Sequence, residues 1–249
     1  MIDVFVNGCA GRMGNIVISQ INKSETLNFV GGFDIKRDNS VDYPLFTNLD
    51  DINIDFDIII DFSYAQGTLN ILEYASKKHV PVVIATTGFS KEQEDKIIEY
   101  SKIIPIFKSA NMSYDINLMS KIVAEVAKKL SNSDIEIVET HHNQKKDAPS
   151  GTALLLGNAI NDALEEKKEF VFDRHSKNEQ RSKREIGFSS IRGGNIVGEH
   201  VVQFYSPYET LEIKHTSYSR ELFAEGALKA AEFLASQKKN GLYNMNDLI

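Results

Sequence analysis

The segment His141–Thr152 carries the side chains best suited to chemistry in this chain. It holds two adjacent imidazoles, His141 and His142, two lysines that include Lys145, a carboxylate, and the Ser-Gly-Thr turn 150–152. Histidine exchanges a proton near neutral pH, and the lysines add positive charge. The pattern therefore predicts a site that binds a carboxylate or phosphate and delivers a proton beside it.

The residues that follow this segment predict the helix that would position it. The run 153–160, Ala-Leu-Leu-Leu-Gly-Asn-Ala-Ile, is typical of a helix, which places Ser150, Gly151 and Thr152 at its N-terminus. Backbone N–H groups and the positive end of the helix dipole favour an anion there. The same residues are also consistent with a solvated turn in which Ser150 only caps the helix.

A second candidate site follows the first predicted strand. The run Val4–Gly14 indicates a strand, a tight turn and a helix, and Gly8, Gly11 and Gly14 would let the backbone approach a pyrophosphate. The strict fingerprint G-x-G-x-x-G is not met, but Asp34 ends the second predicted strand and could accept hydrogen bonds from an adenosine ribose. Together these features favour dinucleotide binding over a glycine-rich turn that only packs a helix on a strand.

The residues around Asp34 leave the choice of dinucleotide open. A carboxylate at this position repels the extra phosphate of NADPH and favours NADH, whereas Lys36 and Arg37 follow at once and could neutralise that phosphate. We therefore expect mixed use of NADH and NADPH.

The elements that would carry the glycine-rich loop form a repeating pattern. Short apolar runs alternate with helical patterns through the first half, which indicates a parallel sheet with helices on both faces, an α/β fold of the doubly wound class. The predicted strands cover residues 2–6, 27–33, 57–61, 82–84 and 103–107, and the predicted helices include residues 16–21, 68–77 and 92–101.

After residue 112 the pattern becomes that of an α+β domain. Helices are predicted over residues 117–130, 153–160 and 221–236, and strands over residues 135–139, 186–191, 199–205 and 210–215, the last three as antiparallel strands. The charged stretch 165–184 is expected to be a surface helix end and a mobile loop.

Composition excludes several functional classes. The 249 residues are 42% hydrophobic and 25% charged, which is ordinary for a globular protein, and the net charge of −7 argues against non-specific nucleic-acid binding. No apolar run is long enough to span a membrane, and the opening strand pattern predicts no secretory signal. The single cysteine, Cys9, excludes an internal disulfide and fits a reducing compartment such as the cytoplasm. No histidine and cysteine cluster has metal-ligand spacing, so we expect no metal.

Two further residues are ambiguous from their position. Asp61 ends a buried predicted strand, where ligands bind in this fold class, but a cap or turn role fits equally well. His200 lies in a strand pattern, and we expect a structural role for it.

These motifs together resemble the 4-hydroxy-tetrahydrodipicolinate reductase family, over essentially the whole chain. The most specific part runs from Glu139 to Ala153, Glu-Thr-His-His through Lys to Asp-Ala-Pro-Ser-Gly-Thr-Ala. Other segments in family order are residues 8–14, 85–89, 109–113 and 197–200.

The resemblance implies a fold and an activity. The fold would be a Rossmann-like dinucleotide-binding domain of residues 1–112 and 220–249, and an α+β domain with a mixed sheet, residues 113–219, that binds substrate and builds a homotetramer. The activity would be NAD(P)H-dependent reduction of 4-hydroxy-tetrahydrodipicolinate, a cyclic imine with two carboxylates, to tetrahydrodipicolinate in diaminopimelate and lysine biosynthesis.

The resemblance also implies residue roles. His141 would be the proton donor and acceptor, Lys145 the second proton donor, and His142 a contact to a substrate carboxylate. Ser150, Gly151 and Thr152 would bind a carboxylate at the helix N-terminus. The residues that would line the dinucleotide are Gly8, Cys9, Ala10, Gly11, Arg12, Met13, Asp34, Ala85, Thr86, Thr87, Ser109, Ala110, Asn111 and Met112.

Two other functions compete with this interpretation. One is a dehydrogenase of similar build that acts on another small acid, such as an amino-acid semialdehyde; the His-His-Lys and Ser-Gly-Thr run argues against it because it suits a ring with two negative charges. The other is a redox-sensing protein that binds a dinucleotide without turnover. That protein would need a surface for nucleic acid or a partner, and the net charge of −7 disfavours the former.

Overall fold

The alternating apolar runs and helical patterns form two units in the computed structural model, which describes residues 1–36 and 40–249. The first unit comprises Met1–Tyr114 and Glu221–Ile249, and the second comprises Asp115–Arg220. The strands are β1 (Ile2–Asn7), β2 (Leu27–Phe33), β3 (Leu45–Phe46), β4 (Ile58–Asp61), β5 (Val82–Ile84), β6 (Pro105–Lys108), β7 (Asp134–His141), β8 (Glu169–Val171), β9 (Glu185–Arg192), β10 (Gly198–Tyr205), β11 (Thr210–Ser217) and β12 (Gly241–Tyr243). The helices are α1 (Arg12–Ile21), α2 (Ala65–Lys78), α3 (Lys91–Ser101), α4 (Tyr114–Lys129), α5 (Gly151–Ala163), α6 (Glu221–Ala235) and α7 (Met245–Leu248), with a 3-10 turn at Leu49–Asp51.

The first unit is built on a parallel sheet of seven strands in the order β12-β6-β5-β4-β1-β2-β3. Its central strands are apolar on both faces, and Val4, Phe5 and Val6 of β1 are fully buried, as are Ile58, Ile59 and Ile60 of β4. This burial is expected when helices cover both sides of a parallel sheet. Strand order reverses between β1 and β4, and the carboxyl ends of these two strands mark the place where ligands bind in such sheets.

The last segment of the chain completes this unit. Helix α6 packs against α1 and against β4, β5 and β6, and its four fully buried alanines allow a close approach: Ala224, Ala227, Ala230 and Ala231. At Gly226 a Cβ would lie 1.7 Å from the carbonyl oxygen of Met112, so only glycine fits there. Strand β12 then extends the sheet beyond β6.

The second unit has a mixed sheet of five strands in the order β11-β10-β7-β9-β8. Strand β7 is parallel to β9 and antiparallel to β10. Helices α4 and α5 cover one face and form a core with alternate residues of β7, Ile135 and Ile137. The predicted fold class, a Rossmann-like α/β domain with a mixed-sheet α+β domain, is confirmed.

Some details of the second unit differ from the prediction. Strands β9 and β10 run in opposite directions as expected, but β7 lies between them, so they do not form a hairpin. The stretch 165–184 contains strand β8, and its arginines form ion pairs, among them Arg174 with Glu185 and Arg181 with Glu136. A strand of three residues has too few positions to show a period, and charge alone does not reveal which carboxylates lie opposite.

The sequence pattern also does not predict strands β3 and β12 and helix α7, because each spans only a few residues. Among the residues that the structure describes, no helix is both long and apolar enough to cross a membrane.

Candidate active site

His141 is the last residue of β7 and lies two positions after Glu139. Because side chains alternate along a strand, both face the same side of the sheet, where their exposed fractions are 8% and 1%. His141 Nδ1 and Glu139 Oε2 are 2.5 Å apart. The carboxylate therefore orients the ring with its proton on Nδ1, which leaves Nε2 as the nitrogen that can exchange a proton.

Arg192, on the neighbouring strand, forms a bidentate ion pair with the Glu139 carboxylate. It ends β9 and is the register partner of His141. Its guanidinium donates to both carboxylate oxygens, Nη1 to Oε2 at 2.8 Å and Nη2 to Oε1 at 2.7 Å. Nη2 also donates to the carbonyl of Asp147 at 2.6 Å, and the backbone N–H of Ser150 donates to Glu139 Oε1 at 3.2 Å. The carboxylate thus joins the end of β7 to the segment that leads into α5.

These hydrogen bonds and charges shift the pKa values of Glu139 and His141. Burial would raise the pKa of the Glu139 carboxylate, but hydrogen bonds outweigh burial and lower that pKa to about 2. The donors are Arg192, Ser190 and His141. Burial lowers the pKa of His141, the hydrogen bond and charge of Glu139 oppose this effect, and the positive charge of Lys145 lowers the pKa further. An imidazolium in this setting gives up its proton readily, and the Glu139 carboxylate is what stabilises it.

Two residues of β10 shape the space around His141. At Gly198 a Cβ would lie 3.1 Å from His141 Nε2, so the glycine keeps that nitrogen accessible. The ring of His200 meets the ring of His141 edge-on, with centroids 5.1 Å apart, and its Nε2 lies 3.0 Å from Ser150 Oγ. Burial lowers the pKa of His200 to about 3, so this ring is neutral at physiological pH. His200 therefore packs against the catalytic candidate and does not compete with it for a proton.

The N-terminus of α5 is capped by a side chain and faces open space. Ser150 Oγ accepts a hydrogen bond from the backbone N–H of Ala153 at 3.1 Å, which is the capping role considered from the sequence. Gly151 starts the helix, and a Cβ on it would meet no atom within 4 Å. The first turn, with Gly151 and the partly buried Thr152, thus faces open space in which its N–H groups can bind an anion.

Lys145 and His142 lie on the turn between β7 and α5. The backbone N–H of Lys145 donates to the carbonyl of His142 at 3.2 Å, which closes the turn. Lys145 Nζ lies 2.9 Å from Asp147 Oδ1, and its side chain is 20% exposed. The turn therefore keeps an ammonium group beside the imidazole of His141, and the two side chains proposed to donate protons belong to one segment.

The glycine-rich loop of the first unit follows β1 as predicted. Gly8 has a φ of 81°, and a Cβ on it would lie 2.6 Å from the carbonyl oxygen of Phe62. At Gly14 a Cβ would lie 2.2 Å from the carbonyl oxygen of Gly8, so α1 packs directly on the loop. Within the described chain no side chain caps the start of α1 at Gly11, which leaves its first N–H groups for another acceptor.

Asp34 follows β2 and touches this loop. Its Oδ2 accepts a hydrogen bond from the backbone N–H of Ala10 at 3.1 Å, and its Oδ1 accepts one from the backbone N–H of Lys36 at 3.0 Å. Arg37 lies outside the described residues. A cavity of about 260 Å³ opens here, lined by residues of the loop, of the 33–36 turn and of the start of α2 that include Gly8, Asp34 and Tyr64.

These features fit a dinucleotide. Glycines occupy the positions where side chains would collide with the loop backbone, no described side chain caps the first turn of α1, and the carboxylate of Asp34 lines the cavity. Pyrophosphate and ribose groups require this combination of close backbone approach, N–H donors and an acidic acceptor.

The other predicted dinucleotide residues follow β5 and β6, at the same edge of the sheet. Thr86 is buried and Thr87 is exposed. Ser109 Oγ donates to the carbonyl of Asn111 at 2.8 Å, which closes a turn after β6. The side chains of Cys9 and Met112 are buried, so only their backbone can face a ligand. Burial raises the pKa of the Cys9 thiol to about 11, in agreement with a packing role.

The structure thus places the predicted residues in two groups. His141, His142, Lys145 and residues 150–152 lie together in the second unit, and the predicted dinucleotide residues lie together in the first. The sequence alone assigns no role to Glu139 or Arg192. Glu139 could have been identified, because an acid two positions before a histidine on an alternating strand shares its face. Arg192 carries no such signal, because its position depends on the pairing of β9 with β7.

Comparison with known proteins identifies the family of both parts of the chain. The family model described as dihydrodipicolinate reductase, N-terminus, matches residues 2–112, and the model described as dihydrodipicolinate reductase, C-terminus, matches residues 115–249. The 4-hydroxy-tetrahydrodipicolinate reductase of Clostridium novyi is 50% identical over 250 residues, which cover 100% of this chain and 98% of that protein. The enzyme of the same name from Caldanaerobacter subterraneus is 49% identical, with the same coverage.

A solved structure has the same fold. The dipicolinate-bound dihydrodipicolinate reductase of Paenisporosarcina sp. TG-14 superposes with a TM-score of 0.80 at 24% identity, over 99% of both chains. Two family models together span nearly the whole sequence, and full-length relatives are about half identical. The chain therefore belongs to the dihydrodipicolinate reductase family.

Proposed function

We propose that this protein reduces 4-hydroxy-tetrahydrodipicolinate to tetrahydrodipicolinate with NADH or NADPH, as a step of diaminopimelate and lysine biosynthesis. The observation that carries the proposal is the His141 ring, held by the buried Glu139 carboxylate, beside Lys145 and the open N-terminus of α5. Relatives that carry the reductase name are 50% and 49% identical to this chain, over 100% of this chain and 98% of their own length.

Each residue of the site has a separate role in the reaction. The substrate must lose its 4-hydroxyl as water, which leaves a ring with a conjugated carbon–nitrogen system. NADH or NADPH, when bound, would supply a hydride to that system. His141 holds a proton at Nε2 and gives it to the ring as electron density arrives there, which is general acid catalysis. Glu139 stabilises the charged form of His141 until that moment and then retains the neutral ring in one orientation.

The remaining protein groups of the segment 141–152 bind the two substrate carboxylates. The N–H groups at the start of α5 and the hydroxyl of Thr152 bind one carboxylate, and His142 contacts the other. Lys145 adds positive charge where negative charge develops and acts as the second proton donor. This assignment matches two anionic groups of the substrate with two groups of donors on the segment 141–152.

We propose mixed use of NADH and NADPH. Asp34 favours NADH, because the N–H groups of Ala10 and Lys36 fix its carboxylate in the lining of the cavity. There it can accept hydrogen bonds from ribose hydroxyls. The Lys36 side chain is exposed beside it and can neutralise the additional phosphate of NADPH. Steady-state KM values for the two cofactors test this. Lys36→Ala is expected to raise the KM for NADPH several-fold and leave the KM for NADH unchanged.

The function is tested by the oxidation of NADH and NADPH, with substrate generated in situ by a synthase from pyruvate and aspartate semialdehyde. His141→Gln and Lys145→Ala are expected to lose activity by several orders of magnitude while they still bind NADH. Absence of oxidation by folded, cofactor-binding wild-type protein would refute the proposal and favour another small acid or a sensing role.

We also propose that the protein is a cytoplasmic homotetramer assembled through the mixed sheet. The face of this sheet opposite α4 and α5 exposes apolar side chains, among them Ile191 at 51% and Tyr205 at 40%. Exposed apolar surface on a sheet face is typical of subunit contacts, and a lone reduced cysteine fits the cytoplasm. Light scattering with Ile191→Asp tests the assembly; a tetrameric variant would contradict the use of this face.

A further inference from the structure

Asp61 is a fully buried carboxylate at the carboxyl end of β4, with 0% of its surface exposed. Its Oδ1 accepts hydrogen bonds from Asn7 Nδ2 and Ser63 Oγ, both at 2.6 Å, and from the backbone N–H of Ser63 at 3.2 Å. Its Oδ2 accepts hydrogen bonds from Thr68 Oγ1 at 2.5 Å and Thr86 Oγ1 at 2.9 Å. These five donors are all neutral, so the carboxylate is solvated by dipoles.

Stability alone does not account for this arrangement. Burial of an ionisable group among neutral partners is costly, and burial indeed raises the pKa of Asp61 against the effect of its hydrogen bonds. A fully satisfied polar network has a different benefit, because it fixes the relative positions of all the groups that enter it. Asp61 therefore fixes the segments that supply its hydrogen-bond donors.

Two of its partners line the cavity of the proposed dinucleotide site, and a third lies in the predicted dinucleotide segment 85–87. Asn7 precedes Gly8 and lines the cavity, as does Ser63. Thr86 is the middle residue of the predicted dinucleotide segment 85–87, and its hydroxyl is directed to Asp61. The backbone adds to this link, since Ala85 N–H donates to the Asp61 carbonyl at 2.9 Å. The carboxylate thus lies between β1, β4 and β5 where the strand order reverses.

We propose that Asp61 is a positioning residue for dinucleotide binding, which fixes Thr86 and the end of β1 so that the segment 85–87 and the glycine-rich loop keep the geometry the dinucleotide requires. The inference rests on the proposed function in that it takes NADH or NADPH as the ligand. Thr68 provides an internal comparison, because it donates to the same oxygen as Thr86 but lies on α2.

The test is a double-mutant cycle on NADH affinity. Asp61→Asn removes the charge with little change of shape, Thr86→Val removes one donor, and the double variant contains both changes. The chain has no tryptophan, so the fluorescence of NADH itself reports binding. Thermal unfolding of each variant verifies that it is folded, and the KM for the dicarboxylate gives a second readout.

Loss of a hydrogen bond to a charged group predicts that each single variant binds NADH about tenfold more weakly. The double variant is expected to be no weaker than the weaker single variant, because both changes break one interaction. Thr68→Val is expected to stay within about twofold of the wild type, because it leaves Thr86 in place. The KM for the dicarboxylate is expected to remain unchanged in all of them.

Wild-type NADH affinity in folded Asp61→Asn would overturn the inference. A double variant whose loss of NADH affinity equals the product of the two single losses would also overturn it. Should Asp61→Asn fail to fold, Thr86→Ser, which retains the hydroxyl, is compared with Thr86→Val; equal affinity of these two variants would also overturn it. Wild-type protein that binds neither NADH nor NADPH would refute the proposed function itself, and the inference with it.

Discussion

Replacement of Glu139 by glutamine tests whether the buried carboxylate makes His141 an acid. The substitution preserves the shape of the side chain and removes its negative charge. It leaves the Arg192 guanidinium without its bidentate partner, and it leaves His141 Nδ1, now 2.5 Å from a carboxylate oxygen, beside a neutral amide.

The magnitude follows from Coulomb's law. With charge spread over both groups, an effective separation of about 4 Å and an effective dielectric constant of about 20 give an interaction of about 4 kcal/mol. Loss of this interaction lowers the equilibrium population of the His141 imidazolium by on the order of a thousandfold, because about 1.4 kcal/mol corresponds to a factor of ten. Relaxation and water entry reduce this effect, so we expect kcat to fall between about a hundredfold and a thousandfold.

The assay is the pH dependence of kcat, together with NADH affinity. Burial already lowers the pKa of His141, and Glu139 opposes that effect, so Glu139→Gln lowers the pKa further. An acid is active below its pKa, and activity is lost as the pH rises through it. The decline of kcat in the variant should therefore lie at lower pH than in the wild type, with NADH affinity unchanged.

Glu136→Gln is the matched control. Glu136 lies on the same strand, pairs with Arg181, and points to the opposite face from His141. It is expected to keep kcat and its pH dependence. A folded Glu139→Gln variant whose kcat and pH profile match those of the wild type would refute the reasoning, and equal losses in both variants would attribute the effect to weakening of the strand.

Other predictions follow from the same contacts. Glu139 has a pKa of about 2 against an ordinary value of 4.5, so its contribution to stability is complete above 4.5 and is lost as the pH falls towards 2; thermal unfolding of Glu139→Gln should depend less on pH in that interval. Gly198→Ala would place a methyl 3.1 Å from His141 Nε2 and is expected to lower kcat by about tenfold to a hundredfold without change in NADH affinity. Gly14→Ala would place a methyl 2.2 Å from the Gly8 carbonyl oxygen, which should destabilise the protein by about 1–3 kcal/mol in chemical denaturation and weaken NADH binding. Gly151→Ala meets no atom within 4 Å, so unfolding should be unaffected while the KM for the dicarboxylate rises; an unchanged KM would contradict anion binding at the start of α5.

The sequence predicts the elements of this fold where hydrophobic period and length are both clear. The buried strands β1, β4 and β5 and the amphipathic helix α4 are examples, and so is the glycine-rich loop, whose chemistry is local in sequence. Elements of two to four residues, such as β3 and α7, contain too few positions for a period to be visible.

The site is predictable to the extent that its residues are neighbours in sequence. His141, Lys145 and the Ser150 turn share one segment and stand out by type and spacing. Glu139 and Arg192, which orient these residues, cannot be paired from the sequence. Arg192 lies beside Glu139 only because β9 pairs with β7 in parallel. Asp61 was ambiguous for the same reason, since its donors come from four separate segments.

The return of α6 and β12 to the first unit has a consequence for biosynthesis of the chain. A ribosome makes residues 1–114, then the whole of 115–220, and only then the segment that covers β4, β5 and β6 and packs on α1. Until that segment emerges, the nascent first unit has an uncovered apolar face and an unpaired edge at β6. We therefore expect the second unit to mature first and the dinucleotide-binding unit to require chaperone protection until α6 and β12 have emerged from the ribosome.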